Sequence, residues 1–324
     1  MGTSKSTPGG SGRAVQFVTS FGGPEALQLR DVPVPPVGAG QVRVRVTAAG
    51  LNPMDWFMTS DPEAAARFGL SLPCGFGNDY AGVVDAVGDG GRAADGSRLE
   101  VGDRVFGAAF SRSVADYVVV DAPGHIGKGG DVHRTPDGLT DRVAATLSIA
   151  GCTASAALAV INPGPSDTLL IGGAGGGVGV FAVQLARLAG ARVIGTGSAT
   201  SADALRALGA EPITYGDGLA DRLRQLARDG VTAAMDLHGT DTIAVARELG
   251  VPDARMTAIA AVVEGITPAN GANAVPEAIE DIARLAAEDR IRVPIAATFP
   301  VDQVRAAVNL QAGRHVHGKV VIDL

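Results

Sequence analysis

The chain has 324 residues, enough for two domains with separate cores. With 46% hydrophobic and 19% charged residues it reads as a folded globular protein and not as a disordered one. A formal net charge of −7 without a basic run leaves no footprint for nucleic acid, and no stretch of about 18 apolar residues is present to span a membrane.

Residues 1–12, MGTSKSTPGGSG, read as a flexible polar tail without the apolar centre of a signal peptide. Gly2 and Ser6 also fit the short myristoylation pattern, which matches often by chance. From Arg13 to Val120 the texture is that of strands. Val42–Thr47 alternates apolar and polar residues with period two, and Tyr80–Val87, Asp103–Phe106 and Asp116–Val120 are further strand candidates. Prolines 33, 35 and 36 mark an extended linker. After Asp141 strands and helices alternate. A helix is expected over Asp141–Val160, a buried strand at Thr168–Ile171, a helix over Val178–Leu188 and a second strand from Arg192 to Thr196. Helices at Ala202–Leu208 and Leu219–Arg228 then separate strands at Glu211–Tyr215, Thr232–Leu237 and Met256–Val262. This rhythm predicts a parallel, doubly wound sheet. An amphipathic helix at Pro276–Asp289 follows, then a helix and the strand Lys319–Leu324. Aromatic residues are only 4%, so the cores must rest on Ala, Val, Leu and Ile. Cys74 and Cys152 are too few for a disulfide framework; they suit a reducing cytoplasm and read as small buried apolar residues.

The strand Leu169–Ile171 runs into Gly172–Gly179, GGAGGGVG, and then a helix. As A-x-G-x-x-G, Ala174, Gly176 and Gly179 take the positions that let a backbone approach a pyrophosphate and a helix pack close on a strand. The pyrophosphate would then rest on unpaired N–H groups at the helix N-terminus. About twenty residues on, where NAD enzymes place Asp or Glu against the ribose 2′-hydroxyl, 196–202 holds no carboxylate. Hydroxyls at Ser198, Thr200 and Ser201 can instead donate to a 2′-phosphate, with Arg206 or Tyr215 completing the pocket. The cofactor expected is NADPH.

Several stretches carry a resemblance. They are Ala49–Asp55 (AGLNPMD), Gly77–Val84 (GNDYAGVV), Gly102–Gly107 (GDRVFG), Ala150–Leu158 (AGCTASAAL), the glycine turn, Leu208–Ala210 and Gly318–Val321. In this order they resemble the medium-chain dehydrogenase/reductase superfamily, in its zinc-free quinone oxidoreductase branch, over nearly the whole chain. The resemblance implies an α/β protein: a GroES-like β-rich catalytic domain (13–136 and 269–324) and a Rossmann doubly wound NADP-binding domain (137–268), commonly as a homodimer. It places Asn52 beside the nicotinamide ribose and Thr153 near the cofactor. Gly173, Ala174, Gly175, Gly176, Gly177 and Val178 fall on the pyrophosphate contacts, and Ser198 and Tyr215 on the 2′-phosphate side. Thr200 and Ile259 complete the cofactor-binding set. Relatives often carry Arg or Lys near Thr200, and this chain does not.

Zinc-dependent relatives have a cysteine at the position of Asn52, a His-Glu pair at Asn78–Asp79, and a four-cysteine lobe that this chain lacks. No metal is therefore expected, and His315 and His317 read as a polar surface pair. Without a Lewis acid the hydride acceptor should be a quinone or an α,β-unsaturated carbonyl, whose developing charge is delocalised and can be held by neutral donors. Candidate catalytic residues are Asn52 and Asp55. Asn52 reads equally as an orienting amide and as a turn residue before Pro53; Asp55 could relay a proton or cap the following helix. Trp56 and Phe57 line the site or the core, Tyr80 carries a substrate-facing or a structural hydroxyl, and Cys152 lacks a neighbour to activate it. Three functions are open: a quinone or enone reductase, a biosynthetic enoyl reductase with a dedicated substrate, and a low-turnover NADP(H)-binding sensor or structural protein.

Overall fold

The computed structural model describes residues 10–313 and 316–324. The described residues divide into two compact units, one of 10–149, 297–313 and 320–324, the other of 150–296 and 316–319.

The first unit is built on antiparallel sheets. Gln41–Leu51 is its central strand, paired with Asp79–Val87, Tyr117–Asp121 and Lys319–Asp323, and the sheet continues through Arg104–Ala108 to His133–Arg134. Ile295–Pro300 is the strand at its other edge. Val42, Val44 and Val46 point to one face and join Tyr80, Val84, Val105, Val118 and Val120 in the core, as period-two alternation requires. Past Val46 the alternation gives way to an unbroken buried run, Ala48–Leu51. Register shifts at Arg43/Val44 and Val46/Ala48 bend the strand there. Gly50 lies in this run because a Cβ would collide with the carbonyl of Ala145. A smaller sheet joins Leu27–Pro33, Ser11–Phe17 and Cys74–Gly75. Leu27–Pro33 was not expected from sequence; Pro33 ends an edge strand, where a missing N–H breaks no ladder.

The second unit carries a six-stranded parallel sheet in the order Glu211–Thr214, Arg192–Gly197, Thr168–Gly172, Ala233–Asp236, Met256–Ala258, Thr267–Pro268. Third, second, first, fourth, fifth, sixth is the strand order of a Rossmann fold, so the doubly wound expectation holds. Leu170, Ile194, Ala234 and Met256 fill its core with Leu223 and Ile243 from the helices Leu219–Leu226 and Asp241–Glu248. Asp241–Glu248 was not anticipated: only two of its first four residues are apolar, and its start is held by Asp236, whose Oδ2 accepts the Thr242 N–H at 2.9 Å.

Other expectations shift. The helix expected over Asp141–Val160 is two, Asp141–Ala144 and Ser148–Ile161. Thr140 caps the first and the Thr146 hydroxyl turns back to the Val143 carbonyl at 2.6 Å, ending it. The strand expected over Met256–Val262 stops at Ala258. The domain edges also differ: 137–149 lie in the first unit and 269–296 in the second. The helix Ala278–Ala287 sets its Ile279 and Ile282 against Gly151 of Ser148–Ile161, where a Cβ would stand 3.2 Å from Ile282 Cδ1. A small residue at 151 is what lets the helices approach.

Leu170 is fully buried in the parallel sheet. Leu170→Ala should lower the unfolding free energy by about 3 kcal/mol in a urea titration. A loss below about 1 kcal/mol would show that the site collapses around the smaller residue.

Candidate active site

The glycine turn opens directly from the strand Thr168–Gly172. Gly173 has φ +72°, a conformation that favours glycine, and its carbonyl accepts the Gly176 N–H at 3.0 Å. The helix Gly177–Leu188 begins at once, and Gly179 packs so close under the turn that a Cβ would collide with the carbonyls of Gly173 and Ala174. Ala174 and Gly179 are buried, whereas Gly175, Gly176, Gly177 and Val178 are half-buried. The helix therefore presents its first N–H groups beside a backbone surface without side chains, the cradle that a pyrophosphate needs.

Four of the remaining expected cofactor residues, Ser198, Thr200, Tyr215 and Ile259, stand past the carboxyl ends of neighbouring parallel strands. Ser198 and Thr200 follow Arg192–Gly197, and their hydroxyl oxygens are 2.9 Å apart. Ser198 Oγ also donates to Ser201 Oγ at 3.3 Å. Tyr215 follows Glu211–Thr214; its N–H donates to the Gly197 carbonyl at 3.4 Å and its side chain is 57% exposed. Ile259 follows Met256–Ala258, its N–H donating to the Asp236 carbonyl at 3.2 Å. Thr153, on Ser148–Ile161, faces Gly271, where a Cβ would meet its Oγ1 at 2.9 Å. The structure thus gathers Gly173–Val178, Ser198, Thr200, Tyr215 and Ile259 at one edge of one sheet, the place where open α/β sheets bind ligands. Asn52 belongs to the other unit.

Three residues near the turn were not assigned to the cofactor. A Cβ on Gly173 would stand 3.3 Å from His238 Cβ, one on Gly175 3.0 Å from His317 Nδ1, and one on Gly177 3.2 Å from Lys319 Cδ. The Gly318 N–H donates to the Gly175 carbonyl at 3.0 Å, which holds 317–319 beside the turn. His315, the other half of the expected surface pair, lies outside the described residues. Arg222 gathers the carbonyls of Thr214, Tyr215, Gly216 and Asp217, with 2.7 Å to Asp217, and so shapes the loop that carries Tyr215. Arg206 is 2.7 Å from Asp203 on its own helix and ties to that carboxylate instead of the hydroxyl cluster. Nothing in the local sequence marks His317 or Lys319 as neighbours of the turn, since both reach it from a distant chain segment, whereas Arg222 acts on carbonyls of the loop just before its own helix.

In the first unit Asn52 and Asp55 are drawn into a buried network with Asn78 and Asp79; the four are 4%, 1%, 1% and 0% exposed. Asn52 caps the short helix Pro53–Phe57 with capping-box geometry: the Asp55 N–H donates to the Asn52 carbonyl at 3.0 Å and faces the Asn52 side chain, and the Asn52 N–H donates to Asp55 Oδ2 at 2.7 Å. Asn78 Nδ2 donates to Asp55 Oδ1, and Asn78 Oδ1 accepts the Ser111 N–H at 3.1 Å. Asn52 Nδ2 donates to Asp79 Oδ2 at 2.9 Å, and Asp79 Oδ1 accepts the Ile149 N–H at 2.9 Å. Asn52 is therefore both a turn residue and a held amide, and Asp55 serves the cap. Tyr80 is a structural residue: its hydroxyl donates to the Asp131 carbonyl at 2.8 Å and burial pushes its phenol well above the ordinary range. Trp56 Nε1 donates to Gln311 Oε1 at 3.2 Å, tying its helix to Val304–Ala312, while Phe57 is 53% exposed and stacks edge-on with Phe68. Cys152 is buried. Among the described residues, no three His, Cys, Asp or Glu side chains converge as metal ligands.

Comparison with known proteins agrees with this construction. The family model for the alcohol dehydrogenase GroES-like domain matches residues 38–130, and that for zinc-binding dehydrogenases matches 177–280. Human quinone oxidoreductase is 38% identical over 189 residues, 57% of this chain and 52% of its own length. A mycocerosic acid synthase-like polyketide synthase of Mycobacterium tuberculosis is 31% identical over 326 residues, 90% of this chain and 14% of its own length. The chain thus spans about half the length of the human relative and a small part of the synthase. Among solved structures, the quinone oxidoreductase of Coxiella burnetii superposes with a TM-score of 0.83 at 28% identity, covering 97% of this chain and 100% of that one. Fold and glycine cradle are those of a pyridine-nucleotide-binding family with a GroES-like and a Rossmann unit. The chain belongs to the medium-chain dehydrogenase/reductase superfamily, in its quinone oxidoreductase-like branch.

Because a Cβ at 179 meets two backbone carbonyls, Gly179→Ala must push the helix Gly177–Leu188 away from the turn. Fluorescence titration should show pyridine-nucleotide affinity falling by about tenfold or more. Unchanged affinity would mean that the turn is not the phosphate seat.

Proposed function

We propose that the protein reduces quinones and α,β-unsaturated carbonyls with NADPH, by direct hydride transfer and without zinc. The observation that carries the cofactor choice is the loop past the second strand, where the Ser198 and Thr200 hydroxyls cluster and 196–202 contains no carboxylate. An acid there would repel a 2′-phosphate; hydroxyls donate to it. Gly173, Ala174, Gly175, Gly176, Gly177 and Val178 hold the pyrophosphate, Ser198, Thr200 and Tyr215 the 2′-phosphate, and Asn52, Thr153 and Ile259 the nicotinamide end. NADPH, when bound, supplies a hydride from C4 of its nicotinamide.

The zinc-free reading rests on the donor set. The carboxamides at Asn52 and Asn78 stand where zinc-dependent relatives have thiolate and imidazole, and both amide nitrogens donate to carboxylates. Neutral donors suffice when the acceptor is a conjugated system, because the charge left by hydride addition spreads over a phenolate or enolate. The protein's work is then to orient the substrate and exclude water. Asp55 has both oxygens occupied by N–H donors and supports the cap. A homodimer acting in the cytoplasm belongs to the same reading.

The alignment with a polyketide synthase over 90% of this chain favours a second reading, reduction of an enoyl substrate during carbon-chain assembly. NADPH absorbance followed with 1,4-benzoquinone, 9,10-phenanthrenequinone, a linear enone and an enoyl thioester separates the two. Quinone turnover is the expected result, thioester preference supports the second reading, and cofactor binding without turnover leaves a sensor or structural protein.

NADPH should bind more tightly than NADH, and Thr200→Arg should widen that preference about five- to tenfold. Equal affinities in the parent protein would refute the 2′-phosphate pocket. Chelator should leave turnover unchanged, with zinc substoichiometric by elemental analysis; loss of activity that added zinc restores would overturn the zinc-free reading.

A further inference from the structure

The carboxamide of Asn52 can be seated in two nearly isosteric ways, differing by exchange of its oxygen and its NH2 group. Its surroundings admit one. On one side the Asn52 side chain faces the Asp55 N–H in a capping box, and that N–H also donates to the Asn52 carbonyl at 3.0 Å. On the other, Asp79 Oδ2 is 2.9 Å from Nδ2. Asp79 is held in turn, because its Oδ1 accepts the N–H of Ile149 at 2.9 Å in the first turn of Ser148–Ile161. With an N–H donor at each oxygen, Asp79 serves as an acceptor only. A reversed Asn52 amide would set its oxygen against the buried Asp79 carboxylate and turn an NH2 group toward the Asp55 N–H, so the contact with Asp79 decides the orientation.

We propose that Asp79 is a positioning residue for the reaction: it locks the Asn52 amide in the orientation that presents N–H, and thereby sets how firmly the nicotinamide end is held. The inference rests on the reading of Asn52 as a cofactor contact. It adds that the carboxylate at position 79, where zinc-dependent relatives have Glu, here works through an amide and not through a metal. Sequence alone placed Asp79 only as a departure from a metal motif; its reach across 27 residues to Asn52 and 70 to Ile149 comes from the fold.

Asp79→Asn is isosteric, but one oxygen and one NH2 group must then face two N–H donors, so one contact fails or the Asn52 amide turns over. NADPH should bind about tenfold more weakly and kcat/KM with 1,4-benzoquinone should fall by a similar factor. In an Asn52→Ala background the same change should have no further effect on either quantity, because the amide being positioned is gone. Additive losses in the double variant, or an Asp79→Asn protein within twofold of the parent, would overturn the proposal. So would a silent Asn52→Ala beside a damaging Asp79→Asn.

If Asp79→Asn does not fold, the exchange Asn52→Asp with Asp79→Asn carries the test. There the new amide can accept from Ile149 and donate to the new carboxylate, which accepts from Asp55, so every buried donor keeps an acceptor. The exchanged protein should melt near the parent and still bind NADPH weakly; parent-like binding would overturn the proposal. Absence of turnover in the parent protein, with NADPH bound, would sink the reductase reading alone, since the binding measurements still test Asp79.

Discussion

Two carboxylates shut away from water must each be met by N–H groups, and this demand organises the first unit around Asp55 and Asp79. Their four oxygens accept the Asn52 N–H, Asn78 Nδ2, Asn52 Nδ2 and the Ile149 N–H. Those donors come from the end of the central strand, the turn before the next strand and the first turn of a later helix. Each is a segment that can be placed only when the others are, because leaving one buried carboxylate oxygen without a donor costs more than most surface contacts return. The network therefore acts as a junction, and the two asparagines act as its connectors, each amide giving N–H to a carboxylate and oxygen to a backbone donor.

The same economy of polar groups shapes the second unit with backbone in place of side chains. Gly179 lets the helix come down on the carbonyls of Gly173 and Ala174, and Asp236 spends its carboxylate on the N–H groups of His238, Gly239 and Thr242 past the fourth strand. The loops at that edge are thereby held by the chain's own hydrogen bonds. Hydroxyls at Ser198, Thr200 and Ser201 bond mainly among themselves, which leaves a short polar surface free of negative charge.

Much of this was legible from residue order. The glycine turn needs its strand before it and its helix after it, and local periodicity shows both. Missing carboxylates after the second strand are likewise a local fact. The short helix Asp241–Glu248 and the edge strand Leu27–Pro33 were not legible, since one depends on a cap offered by Asp236 and the other ends on prolines that look like a linker. The helix Ala278–Ala287 was seen, but its unit was not: amphipathicity says that a face is buried and not against what. Gly151, which makes room for Ile279 and Ile282, carries no such label in sequence.

By itself, then, the sequence determined the parallel sheet, the glycine turn, the absence of a carboxylate over 196–202 and, through its motifs, the family. The sheet and the turn rest on local periodicity and on backbone freedom at particular glycines, which neighbouring residues encode, and the family on the resemblance of short motifs in order. Only the tertiary structure decided that Asn52, Asp55, Asn78 and Asp79 form one network, that Tyr80 is structural, and that His317 and Lys319 border the turn. Hydrogen bonds between residues tens or hundreds of positions apart depend on which segments the sheets and helices bring within 3 Å, and no local pattern records that.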